Sequence, residues 1–291
     1  MDWLDRWNEA MEELEKTLEG EPDVGRAAQR AGCSEYHFRR MFSYLAGLPL
    51  SEYLRRRRMS RAAADLQAGE RVLDVALRYG YESPTAFNRA FQSVHGVPPS
   101  AAQRGETLLK AYPRISFKIT VKGEAEMEYR IVKKESFRIV GAKVKLEGGW
   151  EENFQQVPLF WQRAARENLI LKLVPLMDGA LMGILGVSTC IRGNDVDYYI
   201  AVATDREAPE GMEEYTVPAC TWAVFSGEGQ SPQAIQSLQQ RIVSEWLPSS
   251  GYEYADAPDI EVYLNSGPQN SQFEVWLPVS KKAAEASRTA G

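Results

Sequence analysis

The chain has 291 residues, of which 44% are apolar and 25% are charged. These values exclude a chain that is mainly disordered, collagenous or coiled coil, and the length favours two domains. No apolar run approaches the roughly 18 residues of a membrane-spanning helix, and the acidic N-terminus lacks the regions of a signal peptide. Cys33, Cys190 and Cys220 form no CxxC pair. The sequence therefore predicts no disulfide framework and no zinc site, and a cytoplasmic protein is expected.

Charge is segregated along the chain. Residues 1–25 carry a net charge of −7, residues 26–104 of +7 and residues 111–291 of −6. All thirteen basic residues of the positive block are arginines, whose planar guanidinium groups suit phosphates and guanine edges. A block of this kind is more often a solvated surface than a binding site, unless it contains a binding motif.

The first 104 residues predict an almost entirely helical domain. Apolar residues recur at three- and four-residue steps, and caps and glycines punctuate them. The predicted helices cover residues 3–18, 22–31, 34–46, 49–66, 72–79 and 83–95.

Two segments of this domain repeat one pattern. AAQRAG leads to a helix capped by Ser34 and closed by Gly47, and VALRYG leads to a helix capped by Ser83 and closed by Gly96. Each copy is a short helix, a glycine turn and a second helix, which is a helix-turn-helix unit. Two such units inside a basic block indicate binding to DNA.

Residues 3–104 resemble the AraC-type DNA-binding domain, and GYESPTAFNRAFQSVHGVPPSAAQR resembles its most diagnostic segment. The resemblance implies double-stranded promoter DNA as a partner, with RNA polymerase as a further expected partner. In such units the second helix enters the major groove. The residues predicted to contact DNA are Ser34, Tyr36, Arg39 and Arg40 in the first unit and Thr85, Ala86 and Arg89 in the second.

The first unit is expected to specify its site more sharply than the second. Phe38, Met41 and Phe42 are predicted to face inward, which leaves Tyr36, Arg39 and Arg40 outward. Arginine can grip guanine through two hydrogen bonds, whereas threonine and alanine offer one hydrogen bond or a methyl contact.

After Arg104 the pattern changes from helical to strand-like. Residues 105–112 are predicted to form a linker, residues 113–281 a second domain and residues 282–291 a tail. Strands are predicted at 115–121, 127–133, 137–146, 182–191, 196–203, 214–226, 259–264 and 272–279, and helices at 153–168 and 232–247. The order predicts two successive β-α-β-β units, and thus an α+β domain with pseudo-twofold symmetry.

Residues 113–281 resemble the GyrI-like effector-binding domain, through PACTWAVFSGEG, DIEVYLNSG and QFEVWLPVS. Alternation along the last two strands places Glu261 and Tyr263, and likewise Glu274 and Trp276, on faces opposite to the aliphatic residues. If those strands pair, one face carries the carboxylates and aromatics, which suit a flat, apolar cation.

The resemblance implies that Glu261 is the pocket glutamate and that Tyr263, Trp276 and Trp222 line the pocket. Further candidates for the lining are Trp150, Phe160, Trp161 and Tyr199. Glu274 is expected to have a surface or ion-pair role.

Three functions compete: a ligand-responsive transcription regulator, a hydrolase that uses the pocket glutamate, and a protein-interaction module. The DNA-binding domain favours the regulator. No catalytic residue, metal ligand or cofactor site is predicted, because a carboxylate among aromatics supports only weak acid–base chemistry.

Overall fold

The structure, a computed structural model, describes residues 3–105, 107–118, 126–146, 150–179, 181–190, 196–265 and 271–282, without the side chains of residues 150–155 and 190. The chain divides into two compact units, residues 1–120 and 121–291. Within the described ranges, no helix is long and apolar enough to cross a membrane.

The first unit is helical, as the sequence predicted. Its described helices are α1 (Trp3–Lys16), α2 (Val24–Ala31), α3 (Glu35–Ala46), α4 (Leu50–Gln67), α5 (Val72–Arg78), α6 (Pro84–His95) and α7 (Pro99–Gln103). The predicted start of α3 is confirmed, because Ser34 Oγ accepts the His37 N–H at 3.3 Å. Gly47 and Gly96 end α3 and α6 in the left-handed conformation that glycine adopts without strain.

Each helix-turn-helix unit has an aromatic centre. In the first, Trp7 of α1 stacks on Phe38 of α3, with ring centroids 4.8 Å apart. In the second, Phe87 and Phe91 of α6 lie fully buried in a cluster that Met59 of α4 also joins. The long helix α4 therefore connects two small cores.

The strand predicted at 115–121 is wrong for its described part, residues 115–118, which form no strand. The backbone N–H groups of Ile115 and Phe117 donate to the side chains of Tyr53 and Asn8 instead of to a neighbouring strand. Alternation of apolar residues predicts which faces are buried, but it does not reveal whether the hydrogen-bond partner is a strand or a side chain.

The second unit contains one antiparallel sheet with helices. Its described elements are β1 (Tyr129–Lys134), β2 (Phe137–Leu146), α8 (Trp150–Arg166), α9 (Leu169–Leu173), a 3₁₀ turn (Val174–Leu176), β3 (Ile184–Cys190), β4 (Val196–Ala203), β5 (Glu213–Val217), β6 (Cys220–Gly229), α10 (Gln233–Arg241), a π-helical segment (Ile242–Trp246), α11 (Leu247–Ser249), β7 (Tyr252–Tyr254), β8 (Asp259–Tyr263) and β9 (Ser271–Lys281). The strand predicted at 214–226 is two strands, β5 and β6, because Pro218 between them lacks the N–H that a continuous strand requires.

The strand order confirms the predicted pseudo-twofold symmetry. The path is β1-β6-β9-β8-β3-β4-β2-β5, with β7 beside β9. Counted outward from the centre, β3-β4-β2 on one side matches β8-β9-β6 on the other, and each set is one β-α-β-β unit. The central pair, β3 and β8, is where the two halves meet.

Candidate DNA interface and candidate effector site

The second helix-turn-helix unit presents its predicted DNA contacts to solvent. Thr85, Ala86 and Arg89 are all exposed on α6, while Phe87 and Phe91 of the same helix are fully buried. The helix therefore displays the outward surface that a major-groove reading requires.

The first unit differs from the prediction. Tyr36 and Arg40 were expected to face outward, but they are only 5% and 4% exposed. They lie on one helical row with Tyr44, and the Arg40 guanidinium carbon is 5.9 Å from the centroid of the Tyr44 ring. Residues four apart on a helix are neighbours, and all three side chains of this row are buried.

Arg39 and Ser34 have local partners. Arg39 forms a 2.7 Å ion pair with Glu35, one turn earlier on α3. The Ser34 hydroxyl lies 2.9 Å from Nδ1 of His37 and also caps the helix. The exposure of these side chains therefore does not support the expectation that the first helix-turn-helix unit has higher sequence specificity than the second.

The run of four arginines on α4 makes contacts within that helix and with the segment around the end of α1. Arg57 forms a pair with Glu15, at 2.7 Å, and Arg55 and Arg56 both bind Glu52. Arg58 donates to the carbonyl oxygen of Leu18 at 3.0 Å. These contacts favour an architectural role for the run over a phosphate-binding one.

The effector site is built around Glu261 on the central strand β8. Glu261 Oε1 accepts a hydrogen bond from Nε2 of Gln239 on α10, and Oε2 accepts one from the Tyr263 hydroxyl, both at 2.9 Å. Burial and the neighbouring Glu261 carboxylate raise the pKa of Tyr263 well above its ordinary value. The phenol therefore stays protonated and donates to the carboxylate.

An aromatic wall from α8 stands beside this carboxylate. Trp161 Nε1 donates to the Tyr198 hydroxyl at 2.9 Å, and its ring meets the Tyr263 ring edge to face, with centroids 4.8 Å apart. Phe160 contacts Tyr198 in the same manner, at 6.4 Å. Predicted residues Glu261, Tyr263, Trp161 and Phe160 thus lie together.

A glycine on the neighbouring strand makes room for two polar groups of the site. Gly186 of β3 pairs with Glu261, so any side chain there would point to the same face of the sheet. A Cβ atom on Gly186 would come within 2.3 Å of the Tyr198 hydroxyl and 3.2 Å of Glu261 Oε2. The carboxylate and the phenol therefore occupy space that the missing side chain leaves.

Three other predicted lining residues, Trp276, Trp222 and Tyr199, lie on the opposite face, which corrects the prediction. Glu261 pairs with Val275 and Tyr263 with Phe273, so Glu274 and Trp276 share the face of Ile260 and Val262. Trp276, Trp222 and Tyr199 belong to the hydrophobic cluster of that face. Shifting the register of two strands by one residue moves a whole set of side chains across the sheet.

Glu274 and Trp150 are two further residues of the second domain to which the sequence assigned a role. The expected ion-pair role of Glu274 is confirmed by a 2.8 Å contact with Arg130. The side chain of Trp150 lies outside the described residues. Among the described residues, no group of three or more histidine, cysteine or acidic residues could hold a metal ion.

Sequence reasoning missed Gln239, Tyr198 and Gly186. Tyr198 and Tyr199 are adjacent, so alternation places one on each face, and only the pairing of β3 with β4 shows that Tyr198 shares the face of Glu261. Gln239 approaches from a helix far away in the sequence, which no local pattern indicates.

Comparisons with known proteins agree with the two-unit organisation. Residues 130–279 match the family of integron-associated effector binding proteins, and residues 27–105 match a helix-turn-helix domain family. The HTH-type transcriptional activator AarP of Providencia stuartii is 33% identical over 108 residues, covering 35% of this chain and 80% of AarP. The multiple antibiotic resistance protein MarA of Escherichia coli is 36% identical over 87 residues, covering 30% of this chain and 68% of MarA.

Solved structures also resemble the chain over part of its length. A structure of SAV2435 bound to tetraphenylphosphonium is 28% identical, with a TM-score of 0.49, covering 53% of this chain and 94% of SAV2435.

Proposed function

Because this chain belongs to the integron-associated effector binding proteins and carries an AraC-type DNA-binding domain, we propose that it is a transcription regulator whose effector is a lipophilic cation held at Glu261. Regulator function follows from the two domains together. The chemical class of the effector is inferred from the site.

The single observation that supports a cation is the setting of the Glu261 carboxylate among aromatic rings. An amide and a phenol donate to its two oxygens, and the rings of Tyr263 and Trp161 meet beside it. A carboxylate that is partly buried among aromatic rings gains free energy when a cation joins it.

The walls of the site favour a delocalised cation over a small amine. The rings of Trp161 and Tyr263 contact each other. Aromatic surfaces of this kind stabilise a cation that carries apolar groups. A small ammonium ion has too little apolar surface to bury against these rings.

The test compares two probes of nearly equal shape, methyltriphenylphosphonium and neutral triphenylphosphine oxide. Replacing Glu261 by glutamine keeps the shape of the side chain and removes its charge. We expect the variant to lose about 2–5 kcal/mol of binding free energy for the phosphonium, the range for truncating one partner of a buried charge pair, and little for the oxide.

Glu274→Gln is the matched control, because Glu274 lies on the other face of the sheet and pairs with Arg130. The assignment of Glu261 as the partner of the cation would be contradicted if Glu261→Gln lost equal binding free energy for both probes. It would also be contradicted if Glu274→Gln lost as much binding free energy for the phosphonium as Glu261→Gln does. Isothermal calorimetry gives both affinities.

For DNA, we propose that α3 and α6 enter successive major grooves about 10 bp apart. The repeat of two helix-turn-helix units supports this geometry. Thr85, Ala86 and Arg89 are exposed proposed base contacts and Arg39 is a partly exposed one, whereas Tyr36 and Arg40 are buried. A footprint confined to one groove would contradict the arrangement.

RNA polymerase is the proposed protein partner, because the relative AarP is named a transcriptional activator and activation requires action on the polymerase. Retention of purified polymerase holoenzyme by the immobilised chain, in the presence of DNA fragments that the chain selects, would support direct contact. Equal retention of the polymerase by immobilised DNA in the absence of the chain would count against direct contact.

The hydrolase alternative is not favoured. Gln239 and Tyr263 both donate hydrogen bonds to the glutamate, and the relative AarP is named a transcriptional activator. Recovery of a bound probe unchanged after long incubation separates a binding site from a catalytic one.

A further inference from the structure

The segment that follows the second helix-turn-helix unit lies along the helices of the first structural unit. This segment, residues 107–118, is called the strap below. Four of its backbone N–H groups donate to side chains rather than to backbone groups. Buried or partly buried backbone donors need partners, and here the helices supply them one by one.

The strap begins on the second helix-turn-helix unit. Lys110 N–H donates to Nδ1 of His95 on α6 at 3.2 Å, and Leu109 and Tyr112 pack against the hydrophobic cluster of that unit. His95 Nε2 lies 3.0 Å from the carbonyl oxygen of Met59 on α4. One buried imidazole therefore joins the strap, α6 and α4.

The strap then crosses the central helix. Tyr112 N–H donates to Ser60 Oγ at 2.9 Å, its carbonyl oxygen accepts from Arg57 at 2.5 Å, and the guanidinium of Arg56 lies 5.1 Å from its ring centroid. Three residues farther on, Ile115 N–H donates to the Tyr53 hydroxyl at 3.3 Å. These contacts follow α4 back toward its beginning.

The strap reaches the core of the first helix-turn-helix unit. Phe117 exchanges two hydrogen bonds with the side chain of Asn8 on α1, at 2.8 and 3.1 Å. Its ring meets Trp7 edge to face at 5.7 Å and Phe42 of α3 at 6.2 Å. From Leu109 to Phe117, eight residues of extended chain can span at most about 27 Å, and they touch both cores.

We infer that Leu109, Tyr112 and Phe117 are positioning residues for DNA recognition: they fix the separation of the two recognition helices, and so set the spacing of the two half-sites. The units are also joined by α4 and by the Gly20 N–H, which donates to the Arg78 carbonyl oxygen at 3.0 Å. Release of the strap therefore widens the range of separations instead of dissociating the units. The consequence for DNA rests on the proposed reading by both units.

The first measurement needs no DNA. Spin labels placed at Gln29 of α2 and Gln92 of α6, both exposed, report the distance between the two helix-turn-helix units. The labels are introduced in the full chain after its three cysteines are replaced by serine. Leu109→Ala removes a packed anchor, whereas Leu108→Ala, at a side chain that is 97% exposed, is the matched control on the same strap.

We expect one narrow distance distribution in the parent chain and in Leu108→Ala, and a distribution at least twice as broad in Leu109→Ala. Asn8→Ala removes both hydrogen bonds to Phe117 without altering the strap, and it is expected to broaden the distribution as well. It serves as the second variant if Leu109→Ala does not fold. Unchanged widths in folded Leu109→Ala or in Asn8→Ala would overturn the inference.

The second measurement selects sites from a library of random 40-bp duplexes. The parent chain is expected to select two half-sites at one spacing, and the strap variants the same half-sites at several spacings. Selection of a single half-site by the parent chain would contradict the two-unit proposal while leaving the strap to the distance measurement. Selection of one unchanged spacing by the variants would overturn the role in recognition.

Discussion

Gly186 and Glu261 face each other across the two central strands of the sheet, and a Cβ atom on Gly186 would lie 3.2 Å from Oε2 of the glutamate. The smallest residue therefore stands beside the carboxylate at the junction of the two pseudo-symmetric halves. An effector site at this junction can draw side chains from both halves, which explains why α8 supplies Trp161 and α10 supplies Gln239.

Gly186→Ala is expected to weaken binding of methyltriphenylphosphonium by tenfold or more, about 1.4 kcal/mol. The new methyl group would displace the Tyr198 hydroxyl, which it approaches to 2.3 Å, and with it the hydrogen bond from Trp161. Gly251→Ala is the control, because a Cβ atom there has no described neighbour within 4 Å. Calorimetric titration measures the affinity of both variants for the phosphonium. Equal affinities of Gly186→Ala and Gly251→Ala would count against a place for Gly186 in the effector site.

Trp161→Phe and Trp276→Phe are expected to have opposite consequences. Trp161 donates to Tyr198 beside Glu261, so its replacement should weaken the phosphonium probe. Trp276 is buried in the cluster on the other face, so its replacement should lower the free energy of unfolding by about 0.5–3 kcal/mol and leave probe affinity nearly unchanged. Urea unfolding and calorimetry measure the two effects, and a large loss of affinity in Trp276→Phe would restore the sequence prediction.

His95 makes the stability of the helical unit depend on pH. Burial, together with the nearby Lys110 ammonium, lowers the pKa of His95 below its ordinary value of 6.5, although the hydrogen bond from Nε2 to the Met59 carbonyl oxygen acts in the opposite direction. The unfolded chain binds the proton more readily than the folded chain. The contribution of His95 to the free energy of unfolding is therefore fully present above about pH 6.5, and it is lost as the pH falls through the lower pKa of the folded state.

The check is thermal unfolding of the parent chain and of His95→Gln at pH 7.5 and pH 5.5. We expect the parent to lose more stability between the two values than the variant, which cannot titrate at this position. Identical losses would show that His95 binds its proton equally in both states.

Arg89→Ala is expected to reduce the affinity for selected duplex DNA by about 1–3 kcal/mol and to relax the base preference at one half-site. Arg89 is exposed on α6, where a major-groove helix presents its outward residues. Arg166→Ala makes the same change in net charge on α8 of the other unit and should leave affinity nearly unchanged. Fluorescence anisotropy at two salt concentrations separates base contact from a general charge effect.

The sequence by itself determined the local structure and the order of units. Ser34 marked the start of α3, and Gly47 and Gly96 marked the ends of α3 and α6, since capping depends on residues within one turn of the helix end. Alternation placed Glu261 and Tyr263 on one face of β8, since the side chains of a strand alternate whatever its neighbours are. The repeats in both units were visible because they are properties of the residue order.

Only the tertiary structure decided which local faces meet. The register of β8 against β9 put Trp276 behind the sheet, and the pairing of β3 with β4 brought Tyr198, not Tyr199, to the site. Residues 115–118 were misread as part of a strand because the partners of the strap, from Asn8 to His95, lie 15 to 109 residues away. Hydrogen bonds and register between distant segments depend on the free energy of the whole packed unit, and no short window of sequence contains that information.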